Sequence, residues 1–292
     1  MNSPKIEAFH QWCGNTKRQT LIMGIVNVTP DSFSDGGLFL SRDKAVSHGM
    51  QLIQDGADIL DIGGESTRPN ATPVSLEEEL SRVIPVIESL REKTDGLISI
   101  DTTKSQVADK ALQAGADIVN DISGLTFDQN MMITIAKWNV PIIIMHIKGT
   151  PQNMQKNPHY KNVMEEIIQF LSDRVDAAIT AGISRDKIIL DPGIGFGKTV
   201  DDNFKLLNHL GKICDLGFPV LLGPSRKAFI GETLNLPPNQ REEGTAAAVT
   251  AGILNGARLF RVHDVKAMKR VATISDKITE ARSEERRVGK EC

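Results

Sequence analysis

The sequence predicts an α/β protein that forms a (β/α)₈ barrel as a single domain. Eight short runs rich in Ile, Val and Leu recur along the 292 residues, and stretches with helical periodicity separate them. Apolar runs that do not alternate with polar residues are typical of parallel strands covered on both faces. Eight strand–helix units in a chain of this length, with no Pro/Ser-rich linker to divide it, match the usual size of such a barrel.

The predicted strands and helices alternate along the chain. The strands are residues 21–26, 59–64, 97–101, 117–122, 141–146, 188–193, 219–223 and 258–263. The helical patterns between them include residues 41–57, 75–90, 103–116, 162–182, 201–217 and 244–257. The first of these helices is expected to start at a Ser41 cap and to stop at Gly56, and the second carries a Ser-x-x-Glu capping box from Ser75 to Glu78.

A weak internal repeat supports this division of the chain. The segments "DGADIL", "AGADIV" and "NGARLF" each place a glycine that ends a helix immediately before a new strand. The competing fold, a doubly wound open sheet, would need a glycine-rich phosphate-binding turn after its first strand, and "GIVNVTPDSF" does not contain one. The repeat and the missing turn together favour the barrel.

The barrel is predicted to occupy residues 20–280, between two segments of different character. Residues 1–19 form an N-terminal extension, in which Phe9 and Trp12 are expected to cover the bottom of the barrel. The tail "ARSEERRVGKEC", residues 281–292, has no apolar period. It is therefore expected to be disordered or to be an expression or sequence-assembly scar.

The composition excludes several classes of protein. The formal net charge of −3 argues against a general basic surface for nucleic acid. Cys13, Cys214 and Cys292 are odd in number, far apart and without metal-ligand spacing, which fits a reducing cytosol. Because neither a signal-peptide core nor a run of about 18 apolar residues occurs, we expect a soluble cytoplasmic protein that binds neither nucleic acid nor membrane.

Polar side chains stand at or beside the end of every predicted strand. In chain order they are Asn27; Glu65, Ser66, Thr67 and Arg68; Asp101; Asn120 and Asp121; His146; Asp191; Ser225, Arg226 and Lys227; and Arg261 and His263. A single Asn, Asp or His in such a place is ordinarily a helix cap or a satisfied core residue. Eight strand ends converge on one mouth of a barrel, however, and buried polar groups are costly unless they are paired. The sequence therefore indicates a ligand site at that mouth.

The residue types limit the ligand. Carboxylate, amide and ammonium groups can read a flat heterocycle with adjacent N–H donors and carbonyl acceptors. Asp101 and Asp191 supply the carboxylates, Asn120 supplies the amide and Lys227 supplies the ammonium group. Arg261 and His263 lie two apart on the last strand, so they share a face and form an anion clamp near the start of the last helix. Asn27 offers a neutral oxygen to a hydrated Mg²⁺ that phosphate groups would mostly bind, and no His/Cys cluster suggests zinc or iron.

The segment "PGIGFGKT", residues 192–199, resembles a phosphate-binding loop but fails the pattern. Pro192 occupies the place of the first glycine of G-x-x-x-x-G-K-T. As a dinucleotide fingerprint it fails as well, because Lys198 occupies the place of the third glycine. Its glycines are expected to let the chain turn sharply after Asp191.

Motifs at all eight strands resemble those of the bacterial dihydropteroate synthases, a family of pterin-binding TIM barrels. In chain order they are "GIVNVTPDSFSDGG", "DIGGESTRP", "SIDT", "IVNDISG", "MHIKGTPQNMQ", "LDPGIGFGKT", "GPSRKAFIG" and "RVHDVK", and the resemblance runs from about residue 20 to 280. It implies a transferase of folate biosynthesis and a target of sulfonamides. Such an enzyme condenses 6-hydroxymethyl-7,8-dihydropterin diphosphate with 4-aminobenzoate, giving 7,8-dihydropteroate and diphosphate.

The resemblance also implies roles for individual residues. It makes Asn27 the contact of Mg²⁺, and it makes Arg261 and His263 the residues that hold the diphosphate. The contacts of the pterin diphosphate would be Thr67, Asp101, Asn120, Asp191 and Lys227, and the aminobenzoate pocket would contain Phe33, Arg68 and Pro69. Catalysis itself would fall to Asp101, Lys227, Arg261 and His263. Relatives are commonly dimers, so the resemblance implies a homodimer.

One position departs from the family pattern. Some relatives carry a serine directly after the motif lysine, where it helps to hold the aminobenzoate carboxylate, and this chain has Ala228 there. The carboxylate would then rest either on helix N-terminal amides near Ser225 or on Arg68.

Three other functions are compatible with a barrel. A methyltetrahydrofolate-binding module of a cobalamin system would share the Asp and Asn positions, but it does not need Lys227, Arg261 and His263. A sugar-phosphate isomerase or aldolase would need a Schiff-base lysine within a strand or a Glu/His pair, and neither is evident. A non-catalytic scaffold leaves the polar strand ends unexplained.

Overall fold

The computed structural model describes residues 4–15, 19–29, 37–69 and 71–288, and within them eight parallel strands form the predicted barrel. The strands are β1 Leu21–Asn27, β2 Ile59–Gly63, β3 Leu97–Asp101, β4 Ile118–Asp121, β5 Ile142–Met145, β6 Ile188–Asp191, β7 Leu221–Leu222 and β8 Leu259–Val262. Hydrogen-bonded neighbours follow the order β6-β5-β4-β3-β2-β1-β8-β7. A bridge between Leu190 and Val220 joins β6 to the start of β7. The predicted strands are confirmed, with every boundary within two residues of its expected place.

Helices follow the strands on the outside of the barrel, and one helix precedes β1. They are α1 Pro4–Gly14, α2 Gly37–Gln54, α3 Leu76–Arg91, α4 Ser105–Gln113, α5 Met131–Trp138, α6 Val163–Thr180, α7 Val200–Asn208, α8 Gly211–Cys214, α9 Ala228–Leu234, α10 Glu242–Leu254 and α11 Val265–Val288. Short 3₁₀ turns at Arg185–Lys187 and Pro238–Gln240 precede β6 and α10.

The predicted helix stops are confirmed. Gly56, Gly115 and Gly256 have φ values of +101°, +109° and +107°, in the left-handed region that favours glycine. Each lies between the end of a helix and the start of the next strand. The conformation of a single residue therefore ends each of these helices.

Several helix ends and caps differ from expectation. The second helix begins at Gly37, so Ser41 lies inside it and is not its cap. The Ser75 side chain accepts a hydrogen bond from the Glu78 amide, but the Glu78 side chain pairs with Arg82, so only half of the capping box forms. Helix α11 runs to Val288, although disorder was expected from residue 281. Ala, Arg and Glu are good helix formers, so the helix continues after its apolar period has ended.

Two apolar layers build the core. The larger one fills the space between the strands and the surrounding helices. The smaller one lies inside the barrel, where each strand contributes one residue: Met23, Ile59, Leu97, Ile118, Ile143, Ile189, Leu221 and Leu259. Helix α1 packs Ile6, Phe9 and Cys13 against this layer, and the rings of Phe9 and Trp12 stack at 5.4 Å. The expectation that Phe9 and Trp12 cover the bottom of the barrel is confirmed, and polar residues inside the barrel lie above this apolar floor.

Within the described ranges, no helix combines the length and the apolar character that a membrane span requires.

Candidate active site

The strand registers bring predicted polar residues together at the carboxyl end of the barrel. Asn27 of β1 pairs with Gly63 of β2, and Gly63 pairs in turn with Asp101 of β3. Asp101 pairs with Asn120 of β4, so these four residues lie in one row. A Cβ atom on Gly63 would lie 3.9 Å from Asn27 Oδ1 and 3.7 Å from Asp101 Oδ2, and the glycine therefore leaves the space between these two oxygens open.

Arg261 stands at the centre of a buried group of charges. Its Nε donates to Asp61 Oδ2 over 2.6 Å, and its Nη2 donates to Asp101 Oδ2 over 2.8 Å. Asn120 Nδ2 donates to the same Asp61 oxygen over 3.2 Å. Asn120 is thus joined to Arg261, and through it to Asp101, by Asp61, which sequence reasoning did not identify. Asp61 lies inside β2 and is fully buried.

Burial dominates the electrostatics of this group. It raises the pKa of the Asp101 carboxyl to about 7, against the attraction of Arg261, and the negative charge of Asp61 raises this pKa further. The Oδ1 atom of Asp61 and the hydroxyl of Ser99, which pairs with Asp61 in register, are buried without a hydrogen-bond partner among the described residues. A buried carboxylate is costly unless it is paired, and Arg261 is the charged partner of Asp61.

A second wall of the site comes from β6 and from the residues before α9. Asp191 ends β6, where its Oδ1 accepts a hydrogen bond from the Gly193 amide over 2.7 Å and burial raises its pKa to about 6. The Nζ of Lys227 lies 3.9 Å from the centre of the Phe196 ring, within cation–π distance. Burial lowers the pKa of Lys227 to about 8, and the charge of Arg261 lowers it as well.

Apolar side chains complete the mouth on this side. They form a cluster of Ile122, Met145, Ile147, Met154 and Phe196. Charged groups and apolar surface therefore lie side by side on this wall, an arrangement that suits a flat ring with polar edges.

His263 is a neutral hydrogen-bonding group in this structure. Its backbone amide donates to Ser225 Oγ over 3.2 Å, and the same hydroxyl lies 3.0 Å from His263 Nδ1. The hydroxyl can accept the first bond and donate the second, which leaves the ring proton on Nε2. Burial lowers the pKa of His263 to about 3, and Arg261 lowers it further. The predicted clamp therefore combines a cation, Arg261, with a neutral donor.

The loop that carries Ser225 and Lys227 has a defined shape. Arg226 adopts φ +58°, and its guanidinium pairs with both carboxylate oxygens of Asp264 at the start of α11. Arg241 donates to the carbonyl oxygens of Arg226 and Lys227 over 3.0 and 3.2 Å. These bonds tie the end of β7 to the end of β8 and hold Lys227 in place.

The loop after β2 is anchored from beneath by the half-buried ammonium group of Lys104. Lys104 Nζ donates to Glu65 and, over 2.5 Å, to Oε2 of the fully buried Glu79 of α3. Arg82 donates to the carbonyl oxygen of Gly64 over 2.7 Å. The base of this loop is therefore attached to α3 and to the loop after β3.

The residues predicted for the aminobenzoate pocket lie farther out on the same loop. Thr67 is half-buried, whereas Arg68 and Pro69 are exposed. Phe33 lies outside the described residues. The structure therefore places Thr67 nearer to the barrel than its two successors.

Two predicted strand-end residues have other partners. Asp121 is fully buried and accepts hydrogen bonds from the amides of Ser123 and Leu125, so it shapes the turn after β4. His146 follows β5, and its Nδ1 lies 3.0 Å from the Nζ of Lys198. Both residues act on the protein around the site and not as open polar groups in its mouth.

The loop between β6 and α7 is not a phosphate cradle. Gly193, Gly195 and Gly197 have φ values between +64° and +81°, which confirms that these glycines turn the chain sharply after Asp191. Thr199 caps α7 in a complete capping box with Asp202. The Lys198 side chain points into the protein and is 3% exposed.

Asn27 fits the expected contact of a hydrated Mg²⁺. Its amide oxygen is a hard donor, it stands beside the Asp101 carboxylate, and the missing side chain of Gly63 leaves room between them. No group of three or more His, Cys, Asp or Glu side chains with metal-binding geometry occurs in the part of the chain that the structure describes. Any Mg²⁺ at Asn27 would therefore draw most of its ligands from substrate and water.

Sequence reasoning missed Asp61, Phe196, Lys198 and the Glu65–Lys104–Glu79 anchor. Asp61 carried a usable signal, because it is a charged residue within an apolar strand and lies two residues before Gly63, on the same face. Lys198 carried a misleading signal, because its motif suggested an exposed phosphate ligand. Nothing in the local pattern indicated that Lys104 reaches α3.

Known proteins resemble this chain over its whole barrel. A family model for pterin binding enzymes matches residues 23–263. The dihydropteroate synthase of Synechocystis sp. is 51% identical over 260 residues, which are 89% of this chain and 90% of that protein. The Xanthomonas albilineans dihydropteroate synthase, in a structure with 4-aminobenzoic acid, is 46% identical with a TM-score of 0.85 and covers 90% of this chain and 94% of that one. The Yersinia pestis dihydropteroate synthase, in a structure with a sulfonamide drug complex, is 42% identical with a TM-score of 0.85, and the match covers 90% of this chain and 95% of that one.

Proposed function

The chain belongs to the dihydropteroate synthases, a family of pterin-binding enzymes, and from this premise we propose how its barrel condenses 6-hydroxymethyl-7,8-dihydropterin diphosphate with 4-aminobenzoate. The products are 7,8-dihydropteroate and diphosphate. The observation that carries the mechanism is the group of charges centred on Arg261, because it places an anion and a cation side by side where the substrate would separate its own charges.

The pterin ring binds at the wall formed by β4, β6 and Lys227. Asp191 accepts the paired N–H groups of the ring, Asn120 bonds the neighbouring edge, and Lys227 meets the carbonyl side. The burial of Asp191 supports this role, since a desolvated carboxylate gains more from N–H donors than an exposed one does. The apolar cluster around Phe196 supplies a face for the ring.

The diphosphate lies between Arg261, His263 and the Asn27 amide. Asp61 holds Nε of the Arg261 guanidinium and Asp101 holds Nη2, so Nη1 is the group that turns to phosphate oxygens. His263 donates from Nε2, and Thr67 contacts the same substrate from the loop after β2. Mg²⁺, when bound beside Asn27, neutralises charge on the phosphate oxygens.

Bond breaking precedes bond making in the proposed reaction. The bond between the pterin methylene carbon and the diphosphate oxygen breaks first, its electron pair leaves with diphosphate, and positive charge develops over the pterin. The Asp101 carboxylate, when ionised, is an anion already oriented beside that charge. The amine nitrogen of 4-aminobenzoate then attacks the carbon, and the proton that it loses passes to water. It is a weak nucleophile that needs no strong base.

The second substrate binds on the loops. Arg68 and Pro69, with Phe33, form its pocket, and its carboxylate rests on Arg68 or on the backbone amides near Ser225, because Ala228 has no hydroxyl to offer. The loops after β1 and β2 close over both substrates and exclude water that would trap the cationic carbon. The anchor at Lys104 supports this role, since it holds the base of the second loop while its tip is exposed.

Three broader features belong to the same proposal. The enzyme works in the cytoplasm, as the cysteine spacing suggests, and it is a homodimer, as its relatives commonly are. Exposed apolar side chains on the neighbouring helices α7 and α9, Phe204 and Leu234, support a helical interface. Sulfonamides bind in the aminobenzoate pocket, as the Yersinia pestis structure suggests.

One experiment tests the proposed function directly. The purified protein is mixed with the pterin diphosphate, Mg²⁺ and 4-aminobenzoate, and formation of 7,8-dihydropteroate is followed. An Asp191→Asn variant of the same preparation serves as the matched control. Formation of product that is much slower with the variant at limiting pterin diphosphate supports the proposal, and a folded, unaltered protein that forms none contradicts it.

A further inference from the structure

Lys198 is a buried lysine to which the proposed mechanism gives no role. It is 3% exposed and lies in the loop between β6 and α7, two residues after Phe196. Its Nζ lies 2.9 Å from the carbonyl oxygen of Gly193 and 3.0 Å from that of Phe196. The third neighbour is His146 Nδ1, at 3.0 Å. An ammonium group has three N–H donors, and here each has one acceptor.

These contacts close the loop upon itself. The side chain of Lys198 reaches back across the segment that it ends, and the Gly193 oxygen that it binds also accepts the Phe196 amide over 3.0 Å. The third contact attaches the loop to His146 at the end of β5. Lys198 Nζ therefore holds this stretch of backbone from inside the protein, while Asn203, Gln155 and Tyr160 bond the backbone of Gly195 and Gly197 from other sides.

The closed loop is pressed against its neighbours. A Cβ atom on Gly193 would lie 1.9 Å from the His146 carbonyl oxygen, and one on Gly195 would lie 2.9 Å from Cδ of Lys227. The Phe196 ring lies under Lys227 Nζ at 3.9 Å. The contact between the Phe196 ring and Lys227 therefore depends on where the backbone of this loop lies.

We propose that Lys198 is a positioning residue for Lys227: its three hydrogen bonds hold the loop between β6 and α7 so that the Phe196 ring supports the Lys227 ammonium group. Lys198 does not touch the substrate. The consequence for pterin binding rests on the proposed function, in which Lys227 contacts the ring, whereas the consequence for the loop and for Lys227 itself does not.

The chain contains a matched control. Lys187 precedes the same strand, β6, at the opposite end of the barrel, is 8% exposed, and donates from Nζ to the carbonyl oxygen of Asn139. Lys198→Met and Lys187→Met each remove a buried ammonium group and keep an unbranched apolar side chain. Lys198→Gln keeps two N–H donors and provides a milder variant if Lys198→Met does not fold.

Two measurements on the full chain without ligand test the positioning role. Hydrogen exchange followed by mass spectrometry reports the amides of residues 193–198, and we expect exchange about tenfold faster in Lys198→Met, an intermediate rate in Lys198→Gln and no change in Lys187→Met. The rate at which acetic anhydride acetylates Lys227 reports how far the Phe196 ring shields the Lys227 amine. We expect the Lys227 rate to rise about threefold in Lys198→Met and to stay unchanged in Lys187→Met. Unchanged rates in both Lys198 variants, or equal changes in the Lys187 control, would overturn the proposal.

A binding measurement links the role to the ligand. Calorimetric titration with 6-hydroxymethylpterin, which carries no diphosphate, should show about tenfold weaker binding to Lys198→Met. In a Lys227→Met background the same substitution should change affinity by less than about threefold, because Lys198 acts through Lys227. Equal losses in both backgrounds would overturn the positioning role. If the unaltered protein does not bind the pterin, the proposed function fails, and the exchange and acetylation rates still decide the role of Lys198.

Discussion

Replacing Asp61 by Asn tests the group of charges at Arg261. The variant keeps the shape of the side chain and one oxygen that can accept from Arg261 Nε and Asn120 Nδ2, but it removes the negative charge. A hydrogen bond to a charged group is worth about 1 to 2 kcal/mol more than one between neutral groups. If this difference is what holds Arg261 for the diphosphate, kcat/KM should fall about 5- to 30-fold.

The pH dependence of kcat/KM gives a second, independent expectation. The charge of Asp61 helps to raise the pKa of Asp101, which burial and its neighbours place at about 7. Without that charge the ionised form of Asp101 is easier to form, so its pKa falls and the acid limb of the profile moves to lower pH. At an effective dielectric constant of about 20, removing a charge within about 6 Å should shift the limb by one unit or more.

Asp117→Asn is the matched control. Asp117 Oδ2 accepts from Arg91 Nη2 over 2.6 Å and from the Ile98 amide over 2.9 Å, at the opposite end of the barrel. The Asp117→Asn variant should lose a comparable hydrogen bond to a charged group, so its free energy of unfolding in urea should fall. The pH dependence of its kcat/KM should not shift. The reasoning about Asp61 is refuted if its variant shows an unmoved acid limb, or if kcat/KM falls no further than in the control.

Four further predictions follow from the site. Asp191→Asn should weaken pterin binding by about 1.5 to 3 kcal/mol in a calorimetric titration, and unchanged affinity would remove Asp191 from the site. Arg261→Ala and His263→Ala should weaken binding of the diphosphate substrate and spare a pterin without phosphate; equal losses for both ligands would mean that the clamp is misplaced. Sulfonamides should inhibit in competition with 4-aminobenzoate, and inhibition that 4-aminobenzoate cannot relieve would contradict this. Diphosphate with Mg²⁺ should raise the affinity for labelled 4-aminobenzoate, because the first ligand orders the loops; equal affinity with and without it would argue against ordered binding.

The fold could be predicted because its signals are local. The glycine stops at Gly56, Gly115 and Gly256 depend on the conformation of one residue each, and the strands depend on short apolar runs. Helix α11 shows the limit of such signals. The apolar period that predicts packing ends near residue 280, but the intrinsic preference for helix continues to Val288.

The site was predicted as a set of residues but not as a set of contacts. The mouth of the barrel follows from topology, so Asp101, Asn120 and Arg261 could be expected near one another. Their connection through Asp61 depends on how far each strand is staggered against the next. Arg261 pairs in register with Met23 of the apolar floor, and only its long side chain brings it up to Asp101. No local pattern reports that stagger.

The pairing of β6 with β7 is short, so a bound pterin would also stabilise the fold of the barrel. Strand β7 has two residues, and the Leu190–Val220 bridge attaches its start to β6. Asp191 ends the strand on one side of this joint, and Lys227 follows the strand on the other. A pterin that contacts both residues would connect β6 to β7 and would thereby stabilise the closure of the barrel, where the two strands share only a single bridge among the described residues. The melting temperature of the protein should then rise with pterin concentration. A molecule that binds only to the aminobenzoate loops should raise it much less.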